Sequence, residues 1–149
     1  MRGAYRALAG LIALGVLVQA AAIAGGWFGT INEIDDGATI NEDYEGNLGH
    51  AVHGMNGMMI MPLLGLFLFV LSFFAKSIPN AVKFAGFTFL AIVVQIVLAF
   101  ISFGVPAVGI LHGVNAFVIF GLALMCVRRA TVASTAETTA ATPGATAPV

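Results

Sequence analysis

Long apolar segments alternate with short polar ones along this chain. Four of the apolar segments are each long enough to cross a bilayer, which takes ~20 helical residues. They lie at about Tyr5–Phe28, Gly49–Ala75, Ala81–Phe103 and Ala107–Val127. Because lipid offers no hydrogen-bond partner to the backbone, a segment that crosses it must be helical. The pattern therefore predicts an all-α integral membrane protein with four transmembrane helices and the lipid bilayer as its surroundings.

The composition indicates the same class of protein. Of the 149 residues, 60% are hydrophobic and only 9% are charged, with a mean hydropathy of +1.01, well above the usual range for soluble domains. The chain has only 6 Lys and Arg residues against 7 Asp and Glu residues, and nothing in it is basic enough for nucleic acid. We expect residues 1–128 to form the transmembrane domain. Residues 129–149, rich in Ala, Thr and Pro, are expected to be a disordered cytoplasmic tail.

The charged residues are divided between the two sides of the predicted helices. All six basic residues lie on one side: Arg2, Arg6, Lys76, Lys83, Arg128 and Arg129. Six of the seven acidic residues lie on the other side, in the first loop, residues 29–48: Glu33, Asp35, Asp36, Glu42, Asp43 and Glu45. The positive-inside rule then predicts a multi-pass protein of the cell membrane with both termini in the cytoplasm and the acidic loop outside.

The first apolar segment has an alternative interpretation as a cleaved secretory signal. Arg2 and Arg6 precede an apolar run, and the small residues of Gln19-Ala20-Ala21-Ala22 resemble a cleavage site. The run is longer than a usual signal core, and cleavage would remove part of the repeat that follows. We therefore expect this segment to be the first transmembrane helix.

Two short motifs occur twice in the chain. The motif His53-Gly54-Met55-Asn56-Gly57, near the start of the second helix, recurs near the start of the fourth as His112-Gly113-Val114-Asn115-Ala116. In the first and third helices, Ala9-Gly10 before Val18-Gln19 is matched at the same spacing by Ala85-Gly86 before Val94-Gln95. Each half of the chain thus combines a Gln helix with a His-Gly-x-Asn helix. We predict an antiparallel four-helix bundle built from two repeated helical hairpins.

The two repeated histidines are the strongest candidates for functional residues. An ionisable side chain inside a membrane is costly and indicates a functional site by default. In the predicted topology the second and fourth helices run in the same direction. His53 and His112 lie about four and five residues inside them, so at ~1.5 Å per residue both reach one level near the outer face. Imidazole is a common ligand of haem iron. We therefore predict one haem b held by these two residues, with His50 as an alternative ligand.

The residues around each histidine suit a bulky planar ligand. Residues four apart share a helix face, and the positions four after the histidines are the small residues Gly57 and Ala116. Asn56 and Asn115 are expected to orient the rings or bind a polar edge of the ligand. The expected cofactor-binding residues are Asn56, Asn115, Gly57, Ala116, Gln19 and Gln95. In the alternative interpretation, the small residues are ordinary helix contacts in lipid, and the His and Asn side chains form interhelical hydrogen bonds.

The third and fourth helices also carry a family resemblance. Val93-Val94-Gln95-Ile96-Val97-Leu98 followed by Ile110-Leu111-His112-Gly113-Val114-Asn115-Ala116 resembles helices 3 and 4 of one half of haem A synthase. The resemblance covers roughly residues 5–128. It implies a haem-binding four-helix module with His53 and His112 as axial ligands.

Several features of that family are absent from the sequence. The first outer loop has no cysteine pair, Gly54 stands where the family has Arg after its His, and His50 stands where a carboxylate is expected. The single cysteine, Cys126, is near the end of the fourth helix. Enzyme activity of the haem A synthase type is therefore left open. The sequence favours a small b-type cytochrome with an electron-transfer or haem-linked redox role.

Two other functions are compatible with the same residues. Copper handling would use His50 and His53 with the thioethers of Met55, Met58, Met59 and Met61, because imidazole and thioether suit Cu(I). The spacing places these methionines on different faces of one helix, which disfavours a single site. The main alternative is a cofactor-free accessory or assembly subunit of a larger membrane complex. The sequence leaves open a membrane redox partner, a larger complex or a homodimer.

Overall fold

The structure, a computed structural model, describes residues 1–141, with side chains described for residues 1–133. It contains four long helices: α1 (Arg2–Asp35), α2 (Leu48–Ser72), α3 (Ala81–Gly104) and α4 (Gly109–Ala141), with a 3-10 turn at Pro106–Val108. Each is long and apolar enough to cross a membrane. The prediction of an all-α protein with four candidate transmembrane helices is confirmed for the part of the chain that the structure describes.

The first two helices end at other residues than predicted. α1 continues past Phe28 to Asp35, where Gly37 (φ 98°) ends it. The amides of Gly37 and Ala38 bind carbonyls of the last turn, a common helix terminus that glycine allows. α2 ends at Ser72 rather than at Ala75.

The fourth helix is longer than the pattern of apolar residues predicts. It continues beyond Val127 to Ala141, so the segment predicted to be a disordered tail is helical over its first part. This part is rich in Ala, a strong helix former, and Pro143 is the first proline after it. Residues 142–149 of the predicted tail lie outside the described residues.

α2 contains a wide turn immediately before its proline. Pro62 has no N–H, so a regular helix would leave the carbonyl of Met58 without a partner. The sequence predicts a kink there. In the structure, residues Asn56–Ile60 form a π-helical turn, and the amide of Met61 binds the carbonyl of Asn56. Such turns often occur at functional sites.

Each helix packs against two others, and the four pairs are α1 with α2, α2 with α3, α3 with α4, and α4 with α1. The buried apolar side chains include Tyr5, Ile12, Leu68 and Ile92. On α3 the buried residues end at Ile92, and on α4 they begin at Ile119. No residue from 93 to 118 is buried. The half of α3 and α4 that carries His112 is therefore packed less densely than the other half.

α1 and α2 make close backbone contact near the start of α2. A Cβ atom added at Gly49 would collide with the backbone nitrogen of Gly26 and lie 2.6 Å from the carbonyl oxygen of Ala22. Glycine at this position lets the two helix backbones touch, as small residues often do in membrane proteins. This contact fixes the position of α2 one turn before His53.

The loop between α1 and α2 is held back against both helices. Tyr44 donates a hydrogen bond to Glu33 (2.7 Å) and lies 2.7 Å from the hydroxyl oxygen of Thr30. The amide group of Asn47 donates to the carbonyl of Gly26 (2.8 Å), and its oxygen caps α2 at the Gly49 amide. An Asn cap satisfies a helix amide that would otherwise have no partner. The other acidic side chains of the loop are exposed: Asp35, Asp36, Glu42, Asp43 and Glu45.

Candidate ligand-binding site

The structure brings the two repeated histidines together. The ring centroids of His53 on α2 and His112 on α4 are 6.3 Å apart, and the ring planes are inclined by 55°. Both side chains are half-buried. α2 and α4 are not among the helix pairs that pack extensively, so the two imidazoles meet between helices that otherwise have little contact.

Both imidazoles are held by the same kind of hydrogen bond. Nδ1 of His53 lies 3.1 Å from the backbone oxygen of Gln19, and Nδ1 of His112 lies 3.1 Å from the backbone oxygen of Gln95. A carbonyl oxygen only accepts, so each Nδ1 carries a proton and donates it. In a neutral ring this leaves Nε2 with a free lone pair. Metal-binding histidines are commonly oriented by this arrangement.

Each asparagine binds the same neighbouring helix as the histidine three residues before it. The contact lies one helical turn further along. Asn56 donates through Nδ2 to the carbonyl of Gly15 (3.1 Å), and Asn115 donates to the carbonyl of Ala91 (2.8 Å). Gly15 lies four residues before Gln19, and Ala91 lies four before Gln95. The internal similarity seen in the sequence is thus accompanied by matching contacts. Neither contact involves the imidazole rings that the asparagines were predicted to orient.

The side chains of Gln19 and Gln95 differ in their hydrogen bonds, although the backbone carbonyl of each accepts from a histidine. The side chain of Gln95 donates through Nε2 to the carbonyl of His112 (3.0 Å), and its Oε1 accepts from Nδ2 of Asn115 (2.7 Å). Among the described residues, the side chain of Gln19 has no such partner, and its Oε1 is buried without a hydrogen bond. An unsatisfied buried polar atom costs about 1–3 kcal/mol.

The two small residues that follow the motifs also have different surroundings. A Cβ atom added at Gly57 would lie 2.5 Å from Nε2 of Gln19, so glycine makes room there for the Gln19 amide. Ala116 is half-buried and packs against the buried apolar core. Contact between these residues and a planar ligand stays a prediction.

His50 has a different role from the other two histidines. Its Nδ1 accepts a hydrogen bond from the backbone amide of Asn47 (3.3 Å), which completes the cap of α2. The proton of a neutral His50 is therefore on Nε2. Its ring is flanked edge-on by Trp27 and Tyr44, at centroid distances of 5.7 and 6.4 Å. Ligation by His50 would require a change of tautomer and loss of this cap.

Sequence reasoning overlooked the residues that fix His50. Asn47 stands directly before an apolar helix, which is a recognisable capping position, and this signal was available in the sequence. Nothing in the sequence indicated that Tyr44 would contact Thr30 and Glu33, because that contact depends on how the loop folds back.

The methionines of α2 do not converge on the histidines. Met55, Met58 and Met59 are exposed on the outside of the helix, whereas Met61 is only 5% exposed and points at Gly15. In the part of the chain that the structure describes, no three His, Cys, Asp or Glu side chains come close enough to hold a metal ion. The candidate site therefore consists of the imidazoles of His53 and His112.

The separation of the two imidazoles is compatible with two histidines that bind one metal ion. Two metal–nitrogen bonds of about 2 Å, with about 1 Å from each nitrogen to its ring centre, separate ring centroids by about 6 Å. The observed separation is 6.3 Å. Because each Nδ1 donates to a backbone carbonyl, Nε2, with its lone pair, is the atom of each ring that could bind a metal ion.

Comparisons of the chain with protein-family profiles, with curated protein sequences and with solved structures find no match.

Proposed function

We propose that this chain is a multi-pass protein of the cell membrane, folded as an antiparallel bundle of two repeated hairpins, with both termini in the cytoplasm. The order of contacts supports the antiparallel direction, because His53 contacts Gln19 whereas the later Asn56 contacts the earlier Gly15. The basic residues support the orientation. Arg2 donates to Ser77 (3.2 Å) and Arg129 to the carbonyl of Pro79 (3.3 Å), which groups them at one end of the bundle.

The bundle in this proposal binds one b-type haem through His53 and His112, near the outer face. The observation that carries the proposal is the pair of imidazoles 6.3 Å apart, each with Nδ1 on a backbone carbonyl. The resemblance of the third and fourth helices to haem A synthase agrees with it. The family's missing loop cysteines keep haem A synthesis outside the proposal.

The function of such a site is electron transfer, or redox chemistry linked to the haem. A bound haem supplies one-electron exchange at its iron, and the protein sets the ligands and the surroundings. In this chain, the backbone carbonyls of Gln19 and Gln95 hold the tautomer and direction of the two rings. Asn56 and Asn115 tie the ligand-bearing helices to their neighbours. The partner would be a membrane redox protein or a larger complex, and a homodimer would suit the same role.

The absorption spectrum of the purified protein tests the haem proposal. When the protein is produced with ample haem supply, we expect about one haem per chain, a Soret band and sharp visible bands upon reduction, as two nitrogen ligands on one iron give. Well-folded protein that carries no stoichiometric haem under these conditions would contradict the proposal.

The second candidate function is that of a cofactor-free accessory subunit of a larger membrane complex. One observation favours it: His53, Asn56, His112 and Asn115 all form interhelical hydrogen bonds without any ligand. In that case the histidines stabilise the bundle only. Folded protein without haem would then be purified together with its partner subunits.

The proposed orientation is tested by thiol labelling. In a background with Cys126→Ala, we expect Thr39→Cys in the outer loop to react with a membrane-impermeant reagent added outside intact cells. Ser77→Cys, in the loop between α2 and α3, is the matched control and should react only after the membrane is opened. The reverse pattern would place the termini outside.

A further inference from the structure

The carboxamide of Gln19 stands apart from its counterpart in the second half of the molecule. Gln95 has partners at both ends of its amide, namely the carbonyl of His112 and the side chain of Asn115. Oε1 of Gln19 is buried and accepts no hydrogen bond from any described residue. Buried polar atoms are normally paired, and an unpaired one requires an explanation.

Geometry explains why the protein itself does not satisfy this amide. Asn115 donates to both Ala91 and Gln95, whereas Asn56 donates only to the carbonyl of Gly15. Gly57 lies against Nε2 of Gln19 and offers it no side chain. The amide of Gln19 is therefore held next to the His53 helix by close packing, with its hydrogen-bonding capacity unused.

We propose that Gln19 recognises a carboxyl group of the bound porphyrin, an inference that rests on the haem function proposed above. A carboxamide and a protonated carboxyl group are complementary, because each presents one donor and one acceptor on the edge that faces the other. The carboxyl O–H satisfies Oε1, and the carboxyl C=O accepts from Nε2. The neutral form of the carboxyl suits a site that is partly removed from water.

The site has an unpaired amide oxygen on the α1 side only, because the Gln95 amide on the α3 side is already bonded. A porphyrin with two carboxyl groups on one edge would be oriented with that edge towards α1, where Oε1 of Gln19 is unpaired, rather than towards α3, where the Gln95 amide is already bonded. Gln19 is thus a specificity-determining residue, and Gln95 is a structural one. The near-symmetry of the histidines alone would not select between the two orientations.

The test compares iron protoporphyrin IX with its dimethyl ester, which lacks the carboxyl O–H, by titration of full-length protein produced under haem limitation. We expect the wild type to bind the free acid about three- to tenfold more tightly than the ester, the range that one net hydrogen bond supplies. Gln19→Met and Gln19→Leu should lower this ratio to about one while the low-spin spectrum is kept, and Gln19→Met preserves the side-chain length for folding.

Gln95→Leu is the matched control. It removes the equivalent amide where partners are present, so it should weaken binding of both porphyrins by the same factor and leave their ratio unchanged. If Gln19→Met or Gln19→Leu retains the wild-type ratio, the role of Gln19 is wrong although the haem proposal stands. If neither porphyrin gives a spectrum that depends on His53 and His112, the haem proposal itself fails.

Discussion

Replacement of either His53 or His112 by alanine is expected to abolish the six-coordinate haem spectrum. In the proposed site each substitution removes one of two nitrogen ligands, and among the described residues no third His, Cys, Asp or Glu joins the pair. Even the loss of residues that support a metal ligand typically costs 10–100-fold in metal affinity, so we expect a loss of more than about a hundredfold here. Haem content and the reduced-minus-oxidised spectrum measure the effect.

Three comparisons make this result specific to His53 and His112. His50→Ala should retain the spectrum, because that side chain caps α2 through Nδ1. Met58→Leu and Met59→Leu should also have no effect, which separates haem from copper. Added imidazole should restore a low-spin spectrum to His112→Ala, since the space of the lost ring lies in the sparsely packed half of the bundle. If His50→Ala abolishes the haem spectrum and His53→Ala leaves it unchanged, the ligand on α2 is His50, one helical turn earlier.

Gly49→Ala is expected to be the most destabilising single-methyl change in the half of the bundle that carries His53 and His112. The new Cβ would meet the backbone of Gly26 and the carbonyl of Ala22, and neither can move without separating α1 from α2. Overpacking of this kind costs about 3 kcal/mol. We expect this loss in the free energy of unfolding in detergent, together with lower haem content, because His53 lies one turn further along α2.

Gly54→Ala provides the matched control for this prediction. It lies on the same helix, next to His53, and an added Cβ there has no atom within 4 Å. The stability should stay within about 1 kcal/mol of the wild type, the usual difference between Gly and Ala in a helix. Equal stability of the two variants would show that the close contact of α1 and α2 is not required.

The sequence predicted the helices well because the signal for each is local. Four apolar segments of sufficient length required four helices in lipid, and the structure has them. Helix ends were less predictable. Gly37 ends α1 two turns later than the end of the apolar run, and Ala-rich sequence carries α4 to Ala141. The pattern of apolar residues indicates which part of a helix is suited to lipid. It does not indicate the residue at which the helix ends.

The pairing of His53 with His112 was suggested by the repeat, but the partners of each ring were not. Backbone carbonyls hold both rings, and a carbonyl carries no sequence signature. The opposite tautomers of His50 and His53 likewise depend on which neighbour each Nδ1 meets. Sequence alone treated these two residues as alternatives for one role.

By itself, the sequence determined the four long apolar helices and the repeated His-Gly-x-Asn motif, because hydrophobicity and spacing are properties of the chain. Only the tertiary structure decided that Gln95 is fully bonded while Gln19 is not, and that Gly49 rather than Gly54 lies at a helix contact. The two halves have similar motifs, yet Pro62 and the wide turn before it occur only in the first. Contacts between helices depend on such local differences in backbone geometry, which residue identity does not encode on its own.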